Sequence, residues 1–286
     1  MKDKIKFVKD IKKFGEKELG LLFDGSFKRI AKDEFSCNWV YACHKDKMMS
    51  ALENNAPFKF FTDINAALLR QKELNKKGFD TYFFHAEAHG GRKCPITKEM
   101  LETDRARQCY VVLHEAWHST SRINEHKYDY SFEESSGRVI GLFGGIEFAK
   151  YIKDDELLRT TTDQEKAWSM FADFINYSYK KLNNLMKKDA SEEEIAELKK
   201  KLNIKAEKLY NILPESWEKI ELKKEINNAF ILRYYDYTVY YPLAKSIFLR
   251  TGALQKTMKF YSELFKNASV EKSVKKVIRE LKKEYL

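Results

Sequence analysis

Apolar positions recur at helical spacing along most of the chain, with three β-type runs in the first third. Ile5, Val8, Ile11 and Phe14, with Phe7 alongside, predict an amphipathic helix over residues 5–19 that ends at Gly20. Residues 35–44 alternate loosely around Trp39, Tyr41 and Cys43 and read as a strand. Residues 57–61 read as a second, short strand. A helix over residues 64–77 follows, capped by Thr62 or Asp63 and stopped by Gly78. Residues 79–86, rich in Tyr and Phe, form the third expected strand. After Thr97, a candidate cap, the pattern turns helical to the end of the chain. A long buried helix leads to the polar loop 124–130, and Ser131 opens a helix reaching about Ile152. Residues 162–188 and 191–213 predict a lysine-rich helical hairpin turning near Asp189 and Ala190. Residues 218–248, the segment after Gly252 and the tail 270–286 are also helical in pattern. The expected class is mainly α with a small β-sheet.

Composition narrows this picture. In 286 residues, 43% hydrophobic and 14% aromatic, there is enough apolar material for a real core. No apolar run reaches membrane-spanning length. The N-terminus is charged, without an apolar signal core after it, so the expected compartment is the cytoplasm. The net charge of +10 is spread over scattered lysines interleaved with glutamates, which reads as solvated helix faces and as no nucleic-acid or membrane partner. Cys37, Cys43, Cys94 and Cys109 form no Cys-x-x-Cys pair and are expected as reduced core thiols.

Chemistry enters in the stretch Cys109-Tyr110-Val111-Val112-Leu113-His114-Glu115-Ala116-Trp117-His118. Residues four apart share one face of a helix, so His114 and His118 can present two imidazoles to one metal ion. Glu115 lies to one side of them. Two neutral nitrogen ligands, a third protein ligand and a carboxylate that takes a proton from water make up a zinc hydrolase site. The alternative, two histidines that happen to sit on a core helix, would bury unpaired imidazoles among Val111, Val112, Leu113 and Trp117 at some cost.

A third ligand must come from elsewhere. Glu134 has capping-box spacing from Ser131, which is one reading of it. The other is metal ligation, with the helix after the polar loop returning antiparallel and Ser135, Ser136 and Gly137 permitting close approach. In the loop ahead of the motif, Gly90 and Gly91 let a backbone come near a ligand. Glu87 could hold a substrate ammonium, and His89 stands beside the glycines. These four are candidates for substrate binding, an ordinary turn being the alternative.

Taken together these residues resemble the bacterial zinc aminopeptidases, a thermolysin-like (gluzincin) group named for its expected activity. The resemblance runs over nearly the whole chain. Phe14 with Leu19-Gly20-Leu21 is similar to the family's first helix and its end. Trp39 to Ala42 and Gly78-Phe79-Asp80 are similar to its early strands, and His114-Glu115-Ala116-Trp117-His118 to its zinc helix. Phe132-Glu133-Glu134-Ser135 resembles the family's Phe-Asn-Glu-Ser, which implies Glu134, not Glu133, as the ligand. Asn227-Asn228-Ala229 resembles its Asn-Asn-Ala, and the Tyr at fixed distance falls on Tyr237, which implies an oxyanion donor. Phe260-Tyr261 is similar to its late Phe-Tyr. Two departures stand out. Glu87-Ala88-His89-Gly90-Gly91 replaces a Tyr-Ser-Thr-Leu-Gly-like stretch. The Asp usual four residues after the ligand Glu is Arg138, so no partner for a zinc imidazole is identified.

The resemblance and the motif together imply a thermolysin-like zincin core. Residues 1–96 would build the upper part of the site, 97–160 the zinc-binding helices and 161–286 a helical region, as one catalytic unit. Zn²⁺ would be held by His114, His118 and Glu134, with Glu115 as general base and a peptide as substrate. The rival is a zinc-containing binding or scaffold protein that keeps the site without useful turnover. An intact Glu115 argues for the enzyme, because a pure binding site has no use for that base.

Overall fold

The computed structural model describes residues 1–31, 37–86, 88, 93–126, 129–266, 279 and 283. The elements are α1 (Lys2–Phe14), β1 (Cys37–Cys43), β2 (Lys59–Phe61), α2 (Ile64–Lys76), β3 (Asp80–Ala86), α3 (Lys98–Glu102), α4 (Arg105–Ile123), α5 (Tyr130–Tyr151), α6 (Asp155–Met186), α7 (Glu192–Ile212), α8 (Trp217–Glu221), α9 (Asn228–Thr238), α10 (Tyr241–Thr251) and α11 (Leu254–Lys266). The class is the expected one, helices with one small antiparallel sheet. The expected tail helix, 270–286, falls outside the described residues apart from 279 and 283. No described helix is long and apolar enough to cross a membrane.

The chain divides into two compact units, Met1–Asp33 with Glu87–Glu165 and Val239–Leu286, and Glu34–Ala86 with Lys166–Thr238. In the first unit α4 and α5 form the centre, with α1 against α4 and α10 and α11 against α5. Trp117, Phe132 and Tyr261 are fully enclosed there and meet edge to face, with ring centroids 5.5 to 5.9 Å apart along the Phe132–Tyr261 and Trp117–Tyr261 contacts. The Tyr261 hydroxyl donates to the Ala244 carbonyl at 2.7 Å, so its polar end is satisfied where its ring is buried.

The second unit holds the sheet, in the order β2-β1-β3. Trp39 pairs with Phe60 on one side and Phe84 on the other. The loose alternation of β1 becomes burial at every position, because both of its faces are covered. Val40 and Ala42 pack with Ala67 and Leu74 of α2, while Arg233 of α9 lies over the rings of Trp39 and Tyr41. Asn227 and Asn228 tie α9 to the strand ends. Asn227 donates to the Thr81 carbonyl at 3.0 Å and Asn228 to the His44 carbonyl at 2.8 Å.

Three boundaries differ from the sequence pattern, each through a side chain that competes for the backbone. Thr97 does cap a helix, accepting from the Met100 amide at 3.0 Å, but that helix is the short α3. Asp104 caps the motif helix anew, accepting from the Arg107 amide at 2.7 Å. Helix α6 starts at Asp155, because Asp154 caps it, accepting from the Leu157 amide at 2.9 Å, and the threonine run is carried inside the helix with the hydroxyls of Thr160, Thr161 and Thr162 bonded back to preceding carbonyls at 2.7 to 3.1 Å. The region 218–248 is three helices. Asn227 caps α9 through the Phe230 amide at 3.0 Å, and Pro242 sits in the first turn of α10, where its missing N–H is not needed.

Candidate metal centre

Helix α4 is buried along most of its length, and α5 runs antiparallel to it. The close approach depends on glycine. A β-carbon on Gly137 would fall 2.9 Å from His114 Nδ1, and one on Gly141 would fall 2.9 Å from the Tyr110 carbonyl oxygen. Helix α5 is not capped by Ser131. Asp129 accepts from the Phe132 amide at 3.2 Å and starts the helix at Tyr130. Glu134 is therefore inside the helix and in no capping box, so its carboxylate is available to α4.

That carboxylate reaches the two motif histidines. Ligand atoms of His114, His118 and Glu134 lie within 4.8 Å of one another. The two Nε2 atoms are 3.2 Å apart, and Glu134 Oε2 is 3.4 Å from one and 3.5 Å from the other. His114 is 5% exposed and Glu134 7%. Glu134 Oε2 makes no well-formed hydrogen bond among the described residues. Two imidazole nitrogens and a carboxylate oxygen, enclosed and converging, are a donor set that a divalent metal fits.

The electrostatics agree. Burial drives His114 down to about 4, against the opposing pull of the Glu134 carboxylate, so it is neutral at physiological pH. Burial also opposes charge on His118, but Glu134 and Glu133 outweigh it and hold His118 well above its ordinary value. Glu134 is held well below the carboxylate range, burial being outweighed by His118 and His114. The cluster thus attracts a cation, and a metal ion competes for it with the His118 proton.

The remaining expected residues fall as follows. Glu115 is on α4 between the histidines and partly buried. Tyr237 is on α9 in the second unit, 5% exposed, with the Arg233 guanidinium 4.1 Å from its ring centre. Glu87, His89, Gly90 and Gly91 lie outside the described residues. At Arg138, where an acidic partner for an imidazole was missing, the guanidinium lies 4.5 Å from the centre of the Tyr110 ring. The residue that sequence reasoning passed over is Glu133, whose Oε1 is 3.2 Å from His118 Nδ1. The available signal was an acid at 133, where the resembled family has Asn, together with the loss of the acid at 138.

No curated protein matches the chain, and no solved structure does. A family does: the one described as "Putative aminopeptidase" matches residues 1–278, with the histidine pair, Glu115 and Glu134 all inside the match. Matched over nearly its full length, the chain belongs to that aminopeptidase family.

Proposed function

We propose that the protein is a zinc-dependent peptidase, most specifically an aminopeptidase of thermolysin-like type. The observation that carries this is the buried convergence of His114, His118 and Glu134, with Glu115 on the same helix, in a chain of an aminopeptidase family. His114 and His118 would hold Zn²⁺ through Nε2, and Glu134 through Oε2. When bound, the ion supplies a Lewis acid that polarises the scissile carbonyl and acidifies water. The Glu115 carboxylate takes the proton of the attacking water and passes it to the leaving amine. The family register supports the Tyr237 hydroxyl as donor to the oxyanion. Glu87 would supply a carboxylate for the substrate's α-ammonium, and His89, Gly90 and Gly91 would complete the substrate-binding group.

One experiment tests the reading. Metal content and peptide hydrolysis are measured for wild type, His114→Ala, His118→Ala, Glu134→Ala and Glu115→Gln, on peptides with free and acetylated N-termini. Wild type should carry about one zinc, and each of the first three variants should lose it. Glu115→Gln should keep zinc and lose roughly 10²–10⁴-fold in rate. Wild-type rates in Glu115→Gln would overturn the mechanism. Equal cleavage of free and acetylated peptides would replace aminopeptidase with endopeptidase.

A further inference from the structure

The two nitrogens of His118 face different carboxylates. Nε2 points into the cluster, 3.2 Å from His114 Nε2 and 3.5 Å from Glu134 Oε2. Nδ1, on the opposite side of the ring, is 3.2 Å from Glu133 Oε1. An imidazole that ligates through Nε2 must carry its proton on Nδ1, and an acceptor at Nδ1 fixes both that tautomer and the angle of the ring. Glu133 is built to accept. Its side chain is 25% exposed and that of His118 13%, so the contact is shielded without being sealed. Glu133 itself lies on α5, the helix packed against α4. Its place in the first turn of α5 is set by the Asp129 cap.

We infer that Glu133 is a positioning residue for the metal centre, accepting the Nδ1 proton of His118 and thereby aiming Nε2 at the ion. This rests on the metal-site reading above and deepens it. The carboxylate–imidazole–metal relay is completed here from the residue next to the ligand Glu134. Position 138, one helical turn further on, carries a guanidinium that lies on Tyr110. A carboxylate at 133 does more than an amide could, because its negative charge raises the basicity of the imidazole as well as orienting it.

The test is metal affinity, not turnover. Zn²⁺ is titrated against a chromophoric chelator into wild type, Glu133→Gln, Glu133→Ala and Glu134→Ala, and Co²⁺ absorption is recorded for each. Glu133→Ala should bind one ion at excess metal, with affinity weakened roughly 10–100-fold and a shifted Co²⁺ spectrum. Glu133→Gln keeps an acceptor oxygen without the charge and should recover part of the loss. Unfolding midpoints of the apo proteins should stay close to wild type, which separates aim from damage to the fold. Wild-type affinity and spectrum in Glu133→Ala would overturn the inference. So would complete loss of binding matching Glu134→Ala, since Glu133 would then be a ligand itself. Failure of wild type to bind Zn²⁺ at all would instead sink the metal-site reading beneath it.

Discussion

Glu133 and Glu134 are chain neighbours, and a helix turns about 100° per residue, so they approach the same imidazole from different sides. Glu134 meets the Nε2 atoms of both histidines, and Glu133 comes round to Nδ1 of His118. Tyr237 is a residue whose test turns on one oxygen. Its ring is packed under Arg233, so Tyr237→Phe preserves the ring and the cation–π contact. If its hydroxyl donates to the oxyanion, turnover should fall by roughly 10²–10³ with little change in KM. Tyr240→Phe, on the same tyrosine-rich stretch, should do far less. Steady-state kinetics on both variants decides, and an unchanged turnover number in Tyr237→Phe returns that side chain to the core.

At the scale of elements, the convergence of His114, His118 and Glu134 is a matter of how near α4 and α5 can come. A helix with β-carbons at every position could not approach the Tyr110 backbone as α5 does at Gly141. Gly141→Ala should gain about 1 kcal/mol of helix propensity. It should still destabilise the protein by roughly 1–3 kcal/mol, because a methyl group 2.9 Å from a backbone oxygen forces the helices apart. Denaturant unfolding measures the balance, and a stability at or above wild type would show that the two helices have slack. The lysine-rich helices are ordinary by contrast. Lys98, Lys201 and Lys259 each pair with a glutamate four residues away on their own helix, at 3.6 to 3.8 Å. Such exposed pairs contribute a few tenths of a kcal/mol.

On the scale of the molecule, alkaline stability should reveal a buried network. In the second unit the Glu221 carboxylate accepts from the hydroxyls of Tyr82 and Tyr234, the latter at 2.8 Å, and pairs with Lys224 at 2.7 Å. Burial first, then the charge of Glu221, pushes both phenols well above the usual range. The unfolded chain releases these protons above about pH 10, while the folded chain keeps them. The stability they lend is therefore complete below about pH 10 and is lost as pH rises toward the folded values, by up to about 1.4 kcal/mol per pH unit for each phenol. Thermal unfolding at about pH 9, 10 and 11 should show a steeper loss for wild type than for Tyr82→Phe, which has one such proton fewer. Parallel curves would mean that Tyr82 ionises in the fold as it does outside it.

Some of this was legible in the chain alone, because it depends on neighbours in sequence. The 3.6-residue period put His114 and His118 on one face and Glu115 beside them. Gly20, after the π-helical turn Gly15–Leu19 that follows α1, and Gly78, after α2, take positive φ where the pattern ended a helix, and the three β-type runs became the three strands of the sheet. Choices between residues that compete for one backbone amide or one metal site were not legible. Ser131 has a capping box's spacing, but Asp129 starts the helix. Thr97 caps, but Asp104 caps again. Glu133 reads as the wrong neighbour of a ligand until its oxygen is seen at His118. Periodicity reports the angle of a side chain around its own helix, whereas the partner it meets is set by how closely another helix packs. That distance, fixed here by Gly137 and Gly141 against α4, belongs to the tertiary structure.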